Sequence, residues 1–295
     1  MTVPALWLAG ARPRTLPAAV SPVLAGTGLA LFLDGFDAVA ALLALVVSVA
    51  LQVAVNYAND YSDGIRGTDA DRVGPLRLVG SGAATPAAVR RAAFVCFGVA
   101  ALAGLGIVLI TQLWWLLAVG AVCVLAAWFY TGGKRPYGYL GLGELFVFVF
   151  FGLVAVCGTV LVQARVVPLA AVPAAVAVGA LATAILVANN LRDIVGDQQA
   201  GKRTLATRLG PVGTRWLFVI MNAAAAVGVM LTAALTSWLA LLGLVLVLPA
   251  VWSCRTVLAG ARGPALIGVL KRAGVTELTG ATGLAVGLAV GRLVG

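Results

Sequence analysis

Long apolar stretches separated by short polar gaps run along the whole chain. Nine of these stretches approach the ~20 residues that an α-helix needs to cross the hydrocarbon core of a bilayer. Because polar side chains are confined mainly to the gaps, the pattern predicts an all-α integral membrane protein with nine transmembrane helices. The predicted spans cover residues 16–33, 38–58, 90–111, 113–130, 143–163, 168–190, 215–235, 237–256 and 276–294.

The composition supports this interpretation. Of the 295 residues, 62% are hydrophobic and only 10% are charged, whereas a water-soluble domain carries about 25% charged residues. The chain contains no His and four scattered Cys, which argues against a zinc site, a Ser-His-Asp triad and a disulfide framework. We expect one transmembrane domain over residues 1–295.

The basic residues are distributed unevenly between two sets of loops. Nearly every Lys and Arg lies in the N-terminal segment or in the long loops 58–90, 131–142, 191–214 and 256–275. By the positive-inside rule, the N-terminus and these loops are expected in the cytoplasm, with the C-terminus on the other side of the membrane. The bias toward Ala, Val, Gly and Arg suggests a bacterium with GC-rich DNA, and we therefore expect the protein in a bacterial inner membrane. The net charge of +10 suits anionic lipids and an anionic substrate, and we expect no nucleic-acid partner.

The acidic residues are concentrated at the ends of the second and sixth apolar segments. Six of the ten Asp and Glu residues lie there, namely Asp60, Asp63, Asp69, Asp71, Asp193 and Asp197. Carboxylates are costly near lipid, so such clusters indicate a functional site. Asp69 and Asp71 taken alone are equally well explained as solvated loop residues.

The spacing within each cluster places its polar residues on one helix face. Residues three or four apart are neighbours on a helix, so Asn56, Asp60 and Asp63 form one stripe. A second stripe consists of Asn189, Asp193 and Asp197. If the stripes face each other, their like charges repel unless a cation is bound. Mg²⁺, which takes a few carboxylates together with water and phosphate oxygens, suits this arrangement.

Basic residues near the same end of the bundle could bind the phosphate oxygens of an anionic ligand that shares the Mg²⁺. Arg donates paired hydrogen bonds to phosphate oxygens, and Lys acts as a point charge. The residues expected to bind a diphosphate in this way are Arg66, Arg72, Arg77, Lys134, Arg192 and Lys202.

Three motifs resemble those of the UbiA superfamily of intramembrane prenyltransferases. They are Asn56-Tyr-Ala-Asn-Asp-Tyr-Ser-Asp-Gly-Ile-Arg-Gly-Thr-Asp69, Tyr130-Thr-Gly-Gly-Lys134-Arg-Pro136-Tyr-Gly-Tyr-Leu-Gly-Leu-Gly-Glu144, and Asn189-Asn-Leu-Arg-Asp193 followed by Asp197. Their finer detail is similar to the branch that prenylates 1,4-dihydroxy-2-naphthoate. The spacing from Asp63 to Asp69 is longer than the superfamily's usual four residues, which agrees with that branch.

The resemblance implies a fold, a metal and a reaction. It implies a nine-helix bundle enclosing a central cavity, in which Mg²⁺ bridges the two Asp motifs to a polyprenyl diphosphate. The polyprenyl group would pass to 1,4-dihydroxy-2-naphthoate with loss of CO₂ and diphosphate, giving a demethylmenaquinone.

Roles for individual residues follow from the same resemblance. Asp69 would act either in outer-sphere metal binding or in charge control near the acceptor, and Tyr130 and Lys134 would be catalytic. Asn56 and Asn59 would assist in binding the diphosphate. The implied Mg²⁺ ligands are Asp60, Asp63, Asp193 and Asp197.

The acceptor and the allylic cation need further partners. Arg12, Lys134 and Arg135 are candidate cations for the acceptor carboxylate. An aromatic face could stabilise the allylic cation, and we assign that role to Tyr130. The other nearby aromatic residues are Tyr57, Tyr61, Phe146, Phe148, Phe150 and Phe151. We expect most of them to face lipid or the protein core.

Two alternatives remain open from the sequence. The first is prenyl transfer to another acceptor, such as 4-hydroxybenzoate, homogentisate or protohaem. The second is a transporter or channel, which would also place polar residues inside a helical bundle. Transporter sites lie near the middle of the bilayer, so the depth of the acidic clusters discriminates between the two classes.

Overall fold

The computed structural model describes residues 2–67 and 76–294. Within these ranges the regular secondary structure is helical, without strands. The helices, numbered along the chain, are α1 Val3–Ala11, α2 Pro17–Phe32, α3 Ala38–Arg66, α4 Pro86–Thr111, α5 Leu116–Phe129, α6 Gly143–Ala164, α7 Ala171–Gln199, α8 Leu205–Leu235, α9 Trp238–Leu258 and α10 Ala265–Val294.

All nine predicted apolar segments lie in helices, but the number of membrane crossings differs from the prediction. In the described part of the chain, seven helices are long and apolar enough to cross a membrane. The pair α1–α2, bent by 51°, adds an eighth crossing if it forms one span. Helix α5 has 14 residues, fewer than the ~20 that a full crossing requires. The count of nine is therefore not confirmed.

Two helices continue well past their apolar segments. The hydrophobic pattern predicts ends at residues 58 and 190, but α3 reaches Arg66 and α7 reaches Gln199. The Asp37 side chain caps the start of α3 by accepting hydrogen bonds from two backbone N–H groups of the first turn. Gly67 ends the helix in the left-handed conformation, with φ of 71°. Asp60, Asp63, Asp193 and Asp197 consequently lie on helices rather than in loops.

Helix α7 is the centre of the bundle. Its buried share of 78% is the largest among the seven spans, and it packs against α6, α8 and α10. Gly179 of α7 meets Gly152, which lies in the π-helical stretch Phe148–Val154 of α6. A Cβ at Gly152 would be 2.8 Å from the Cα of Gly179. Glycine at this position thus allows the close backbone approach that is common between transmembrane helices.

Large apolar side chains are exposed on the outer faces of several helices. They include Leu102 of α4, Leu125 of α5 and Leu248 of α9. An apolar exterior of this extent is typical of a surface in contact with lipid. The chain is a multi-pass membrane protein.

Candidate active site

A cavity of about 1360 Å³ lies inside the bundle, bordered mainly by helices α2 to α7. Apolar side chains of α4, α5 and α6 line its body, and the last turns of α3 and α7 line its polar end. Asn56 and Asp63 of the first predicted stripe and all three residues of the second therefore face one common cavity. The predicted site residues in its wall are Asn56, Asn59, Asp63, Arg77, Tyr130, Arg192, Asp193, Asp197 and Lys202.

Lys202 connects the two stripes. Its ammonium nitrogen lies 3.6 Å from Oδ1 of Asp63 and 3.9 Å from Oδ1 of Asp197. Arg77 approaches the other oxygen of Asp63 at 3.8 Å. All four side chains are largely shielded from solvent, so these charges interact more strongly than pairs on an exposed surface. The ammonium group of Lys202 thus contacts the carboxylates of both Asp63 on α3 and Asp197 on α7.

Arg192 organises the second stripe from within α7. Its guanidinium donates to both oxygens of Asp193, at 2.7 Å each, and to Oδ1 of Asn189, also at 2.7 Å. A bidentate interaction of this kind fixes the orientation of the carboxylate and neutralises its charge. The side chain predicted to bind diphosphate therefore also holds a predicted metal ligand in place.

The two asparagines of the first stripe join α3 to neighbouring segments. The amide nitrogen of Asn56 donates to the carbonyl oxygen of Ala11 at 2.9 Å and to Oγ1 of Thr15 at 3.0 Å, at the bend between α1 and α2. Oδ1 of Asn59 accepts a hydrogen bond from Thr131 at 2.7 Å. Both asparagines therefore have a structural role at the cavity wall.

Asp60 differs from the other predicted metal ligands. It is fully buried and does not line the cavity. Its two oxygens accept hydrogen bonds from the backbone N–H groups of Leu78 at 2.8 Å and Val79 at 3.0 Å. In this arrangement Asp60 fixes the loop before α4, and its role in metal binding stays a prediction from the resemblance.

Two of the basic residues predicted to bind the diphosphate also lie outside the cavity wall. The Arg66 guanidinium donates to the backbone carbonyl oxygens of Thr131 and Gly133, which ties the loop after α5 to the end of α3. Lys134 is exposed in the same loop. Their predicted contacts with substrate remain predictions. Asp69, Asp71 and Arg72 fall outside the described residues.

Tyr139 is a cavity residue to which the sequence reasoning assigned no role. Its hydroxyl donates to Oδ1 of Asp63, and its ring lies 4.6 Å from the ammonium of Lys202. Its backbone carbonyl accepts a hydrogen bond from Arg203 at 3.0 Å. The signal available in the sequence was its position within the motif that begins at Tyr130. Only the folded chain brings it to the acidic stripes.

Aromatic side chains cover part of the cavity wall. Phe146, Phe150 and Phe151 line it together with Tyr130, which corrects the expectation for these three Phe residues. Burial raises the pKa of the Tyr130 hydroxyl, and the nearby Glu144 carboxylate raises it further. The phenol therefore remains a hydrogen-bond donor at neutral pH.

Glu144 lies behind the cavity wall, where it forms a hydrogen bond with Asn190. The amide nitrogen of Asn190 donates to Oε1 of Glu144 at 2.9 Å. Asn190 lines the cavity, whereas the Glu144 side chain is buried behind it. Asn190 lies on α7 three residues before Asp193, which places it one turn farther from the end of the helix.

The side chains at the polar end of the cavity supply only some of the ligands that Mg²⁺ needs. Among the described residues, no three acidic side chains are grouped closely enough to hold a metal ion by themselves. Mg²⁺ in proteins commonly uses one or two carboxylates together with water and substrate phosphate oxygens. The carboxylates of Asp63, Asp193 and Asp197 therefore suit a metal ion that binds together with an anionic substrate.

Comparison with known sequences identifies relatives over nearly the full chain. The sequence model of the UbiA prenyltransferase family matches residues 19–265. The 1,4-dihydroxy-2-naphthoate octaprenyltransferase of Mycobacterium tuberculosis is 52% identical over 289 residues, which cover 98% of each chain. The protein of the same name from Escherichia coli is 43% identical over 215 residues, covering 71% of this chain and 70% of its own.

Solved structures share the fold. A UbiA homologue from Aeropyrum pernix superimposes with a TM-score of 0.67 at 17% identity, covering 94% of this chain and 97% of its own. A UbiA homologue from Archaeoglobus fulgidus, bound to DMAPP and Mg²⁺, gives a TM-score of 0.60 at 14% identity. That comparison covers 95% of this chain and 99% of the homologue.

Proposed function

The chain belongs to the UbiA prenyltransferase family, and we propose that it transfers a polyprenyl group from a polyprenyl diphosphate to 1,4-dihydroxy-2-naphthoate. A carbon–carbon bond forms to the ring as the allylic carbon–oxygen bond breaks and diphosphate leaves. The ring carboxylate departs as CO₂, and demethylmenaquinone forms at the quinol level. The relatives from M. tuberculosis and E. coli carry the name of this activity.

The observation that carries this proposal is that Asp63 of α3 and Asp193 and Asp197 of α7 line the polar end of one cavity. Asp63 and Asp197 lie on different helices and share contact with Lys202. Carboxylates alternating with Lys and Arg can bind the metal and the phosphate oxygens of one diphosphate. An apolar cavity body beyond them suits an isoprenoid chain.

We propose Mg²⁺ as the metal, held by one or two of the carboxylates of Asp63, Asp193 and Asp197 together with the substrate's phosphate oxygens. When bound, Mg²⁺ would neutralise negative charge on the leaving diphosphate. Lys202, Arg192 and Arg77 add positive charge at the same end of the cavity, where it favours departure of the leaving group. The apolar walls keep water from the allylic carbon.

The depth of the acidic residues argues against a transporter. Asp63 lies within one turn of the end of α3 at Arg66, and Asp197 within one turn of the end of α7 at Gln199. Transporter sites instead form near the bilayer midplane, at interruptions within helices. The site at the helix ends is better suited to an enzyme that takes its acceptor from the aqueous side.

We propose that the polar end of the cavity faces the cytoplasm of a bacterial cell, with the N-terminus inside and the C-terminus outside. The basic loops on that side support this orientation through the positive-inside rule. Residues 1–295 would form one transmembrane domain in the inner membrane.

Product analysis tests the proposal. Membranes containing the protein would be incubated with Mg²⁺, prenyl diphosphates of several lengths, and either 1,4-dihydroxy-2-naphthoate, 4-hydroxybenzoate or homogentisate. We expect a prenylated, decarboxylated naphthoquinol and release of CO₂ from the naphthoate alone. Preferential prenylation of another acceptor would replace the proposed substrate, and no transfer to any acceptor would refute prenyl transfer.

A further inference from the structure

Two polar atoms in the cavity wall have no hydrogen-bond partner among the described residues. Oδ1 of Asn190 and the hydroxyl of Tyr130 form no hydrogen bond with any described residue, although both side chains line the cavity. Neither atom is sealed off within the protein. Both are therefore available to a ligand.

Glu144 determines which way the Asn190 amide points. The amide nitrogen of Asn190 donates to Oε1 of Glu144 at 2.9 Å, so its NH₂ group points toward that carboxyl oxygen, which accepts. The amide oxygen is then the atom left without a partner. Asn190 consequently presents a hydrogen-bond acceptor to the cavity, with its orientation set by a buried neighbour.

Tyr130 lies beside the same pair. A Cβ added at Gly143, the residue before Glu144, would be 3.4 Å from the Tyr130 hydroxyl oxygen. Because its pKa is raised by burial and by Glu144, this hydroxyl stays protonated. One acceptor and one donor are thus available near the first turn of α6.

The position of the cluster formed by Glu144, Asn190 and Tyr130 suits the binding of an aromatic acceptor. Asn190 is one helical turn from Asp193, and the apolar side chains of Phe146 and Phe150 lie along the same wall. A ring that attacks the allylic carbon must lie beside the diphosphate, toward the apolar body of the cavity. Hydroxyl groups on that ring need polar partners, because burying them without hydrogen bonds is costly.

We propose that Asn190 and Tyr130 bind the ring hydroxyl groups of the aromatic acceptor, and that Glu144 is a positioning residue acting through Asn190. This inference rests on the proposed function, since it assumes a dihydroxylated aromatic acceptor. It assigns the cluster to the acceptor and not to the diphosphate. The two substrates are therefore affected differently when the cluster is changed.

Steady-state kinetics on Glu144→Gln test this assignment. Gln can donate as well as accept, so the Asn190 amide is no longer fixed. We expect the KM for 1,4-dihydroxy-2-naphthoate to rise about fivefold to twentyfold, the equivalent of one hydrogen bond. The KM for the polyprenyl diphosphate should change less than about twofold. Equal increases in both values, or no increase for the acceptor, would overturn the assignment.

A second variant and a control distinguish a positioning role of Glu144 from a non-specific disturbance of the fold. Asn190→Ala should raise the acceptor KM similarly, and adding Glu144→Gln to it should have little further effect if Glu144 acts through Asn190. Independent, additive effects would refute the positioning role. Glu277→Gln makes the same change at a buried carboxylate that does not line the cavity, and both KM values should stay unchanged.

An acceptor analogue provides a readout that does not depend on the folding of Glu144→Gln. Wild-type protein should favour the dihydroxynaphthoate over a monohydroxynaphthoate, and Asn190→Ala should reduce that preference. Unchanged preference would contradict the hydroxyl contacts. If wild-type protein prenylates no naphthoate at all, the proposed function has failed, which is a different result from failure of this inference.

Discussion

The ammonium of Lys202 lies 3.6 Å from the carboxylate of Asp63. Lys202 follows α7 in the chain and Asp63 belongs to α3, so this pair joins the two acidic stripes across the polar end of the cavity. The contact replaces like-charge repulsion with attraction in a setting largely shielded from solvent. It also places a cation where the diphosphate of the proposed substrate would bind.

Replacing Lys202 should weaken diphosphate binding more than replacing Lys134. Lys202→Met removes the positive charge shared by Asp63 and Asp197, and we expect at least about a tenfold rise in the KM for the polyprenyl diphosphate. Lys134 is exposed and does not line the cavity, so Lys134→Met serves as the matched comparison. Steady-state kinetics would check both. A larger effect at Lys134 would restore the role inferred from its motif and contradict the present geometry.

Asp60 and Asp63 should respond differently to the same substitution. Asp60→Asn replaces one acceptor oxygen with an NH₂ donor, so one of the two hydrogen bonds to the backbone of the loop before α4 is lost. We expect a loss of about 1–3 kcal/mol of stability. Asp63→Asn removes a charge from the cavity wall and should abolish turnover with a smaller loss of stability. Thermal unfolding in detergent and product formation would be measured for each. A thermally unaffected Asp60→Asn protein would argue against the loop-anchoring role.

Mg²⁺ should bind tightly only together with diphosphate. The carboxylates at the cavity end are already paired with Lys and Arg, so the metal gains its remaining ligands from phosphate oxygens. We expect EDTA to stop turnover and Mg²⁺ to restore it. Mg²⁺ with inorganic diphosphate should raise the unfolding temperature more than either alone. Full turnover in EDTA would contradict the metal requirement.

Gly152 should tolerate no larger residue. A Cβ there would lie 2.6 Å from the carbonyl oxygen of Ala175 and 2.8 Å from the Cα of Gly179, so Gly152→Ala forces α6 and α7 apart. We expect a loss of about 1–3 kcal/mol, measured by thermal unfolding in detergent. At Gly98 a Cβ meets no atom within 4 Å, and Gly98→Ala should leave stability unchanged or raise it slightly. Equal stability of the two variants would be incompatible with the close helix contact.

Much of the helical framework was predictable because apolar length and periodicity are local properties. The nine apolar segments all lie in helices, including the segment that contains α5. The pattern could not reveal that α5 has only 14 residues or that α6 contains a π-helical stretch. Helix ends and irregular turns depend on capping contacts and on packing against neighbours, which a hydrophobic profile does not contain.

The sequence by itself determined that two acidic stripes exist, since a spacing of three or four residues places side chains on one helix face wherever the helix lies. Only the tertiary structure decided that Asp63 faces the cavity while Asp60 is bonded to a loop. It also decided that Lys202 and Tyr139, and not Lys134, meet Asp63. These outcomes depend on how each helix is rotated and on which distant loops close over its end. Such contacts join residues far apart in the chain, and local spacing carries no information about them.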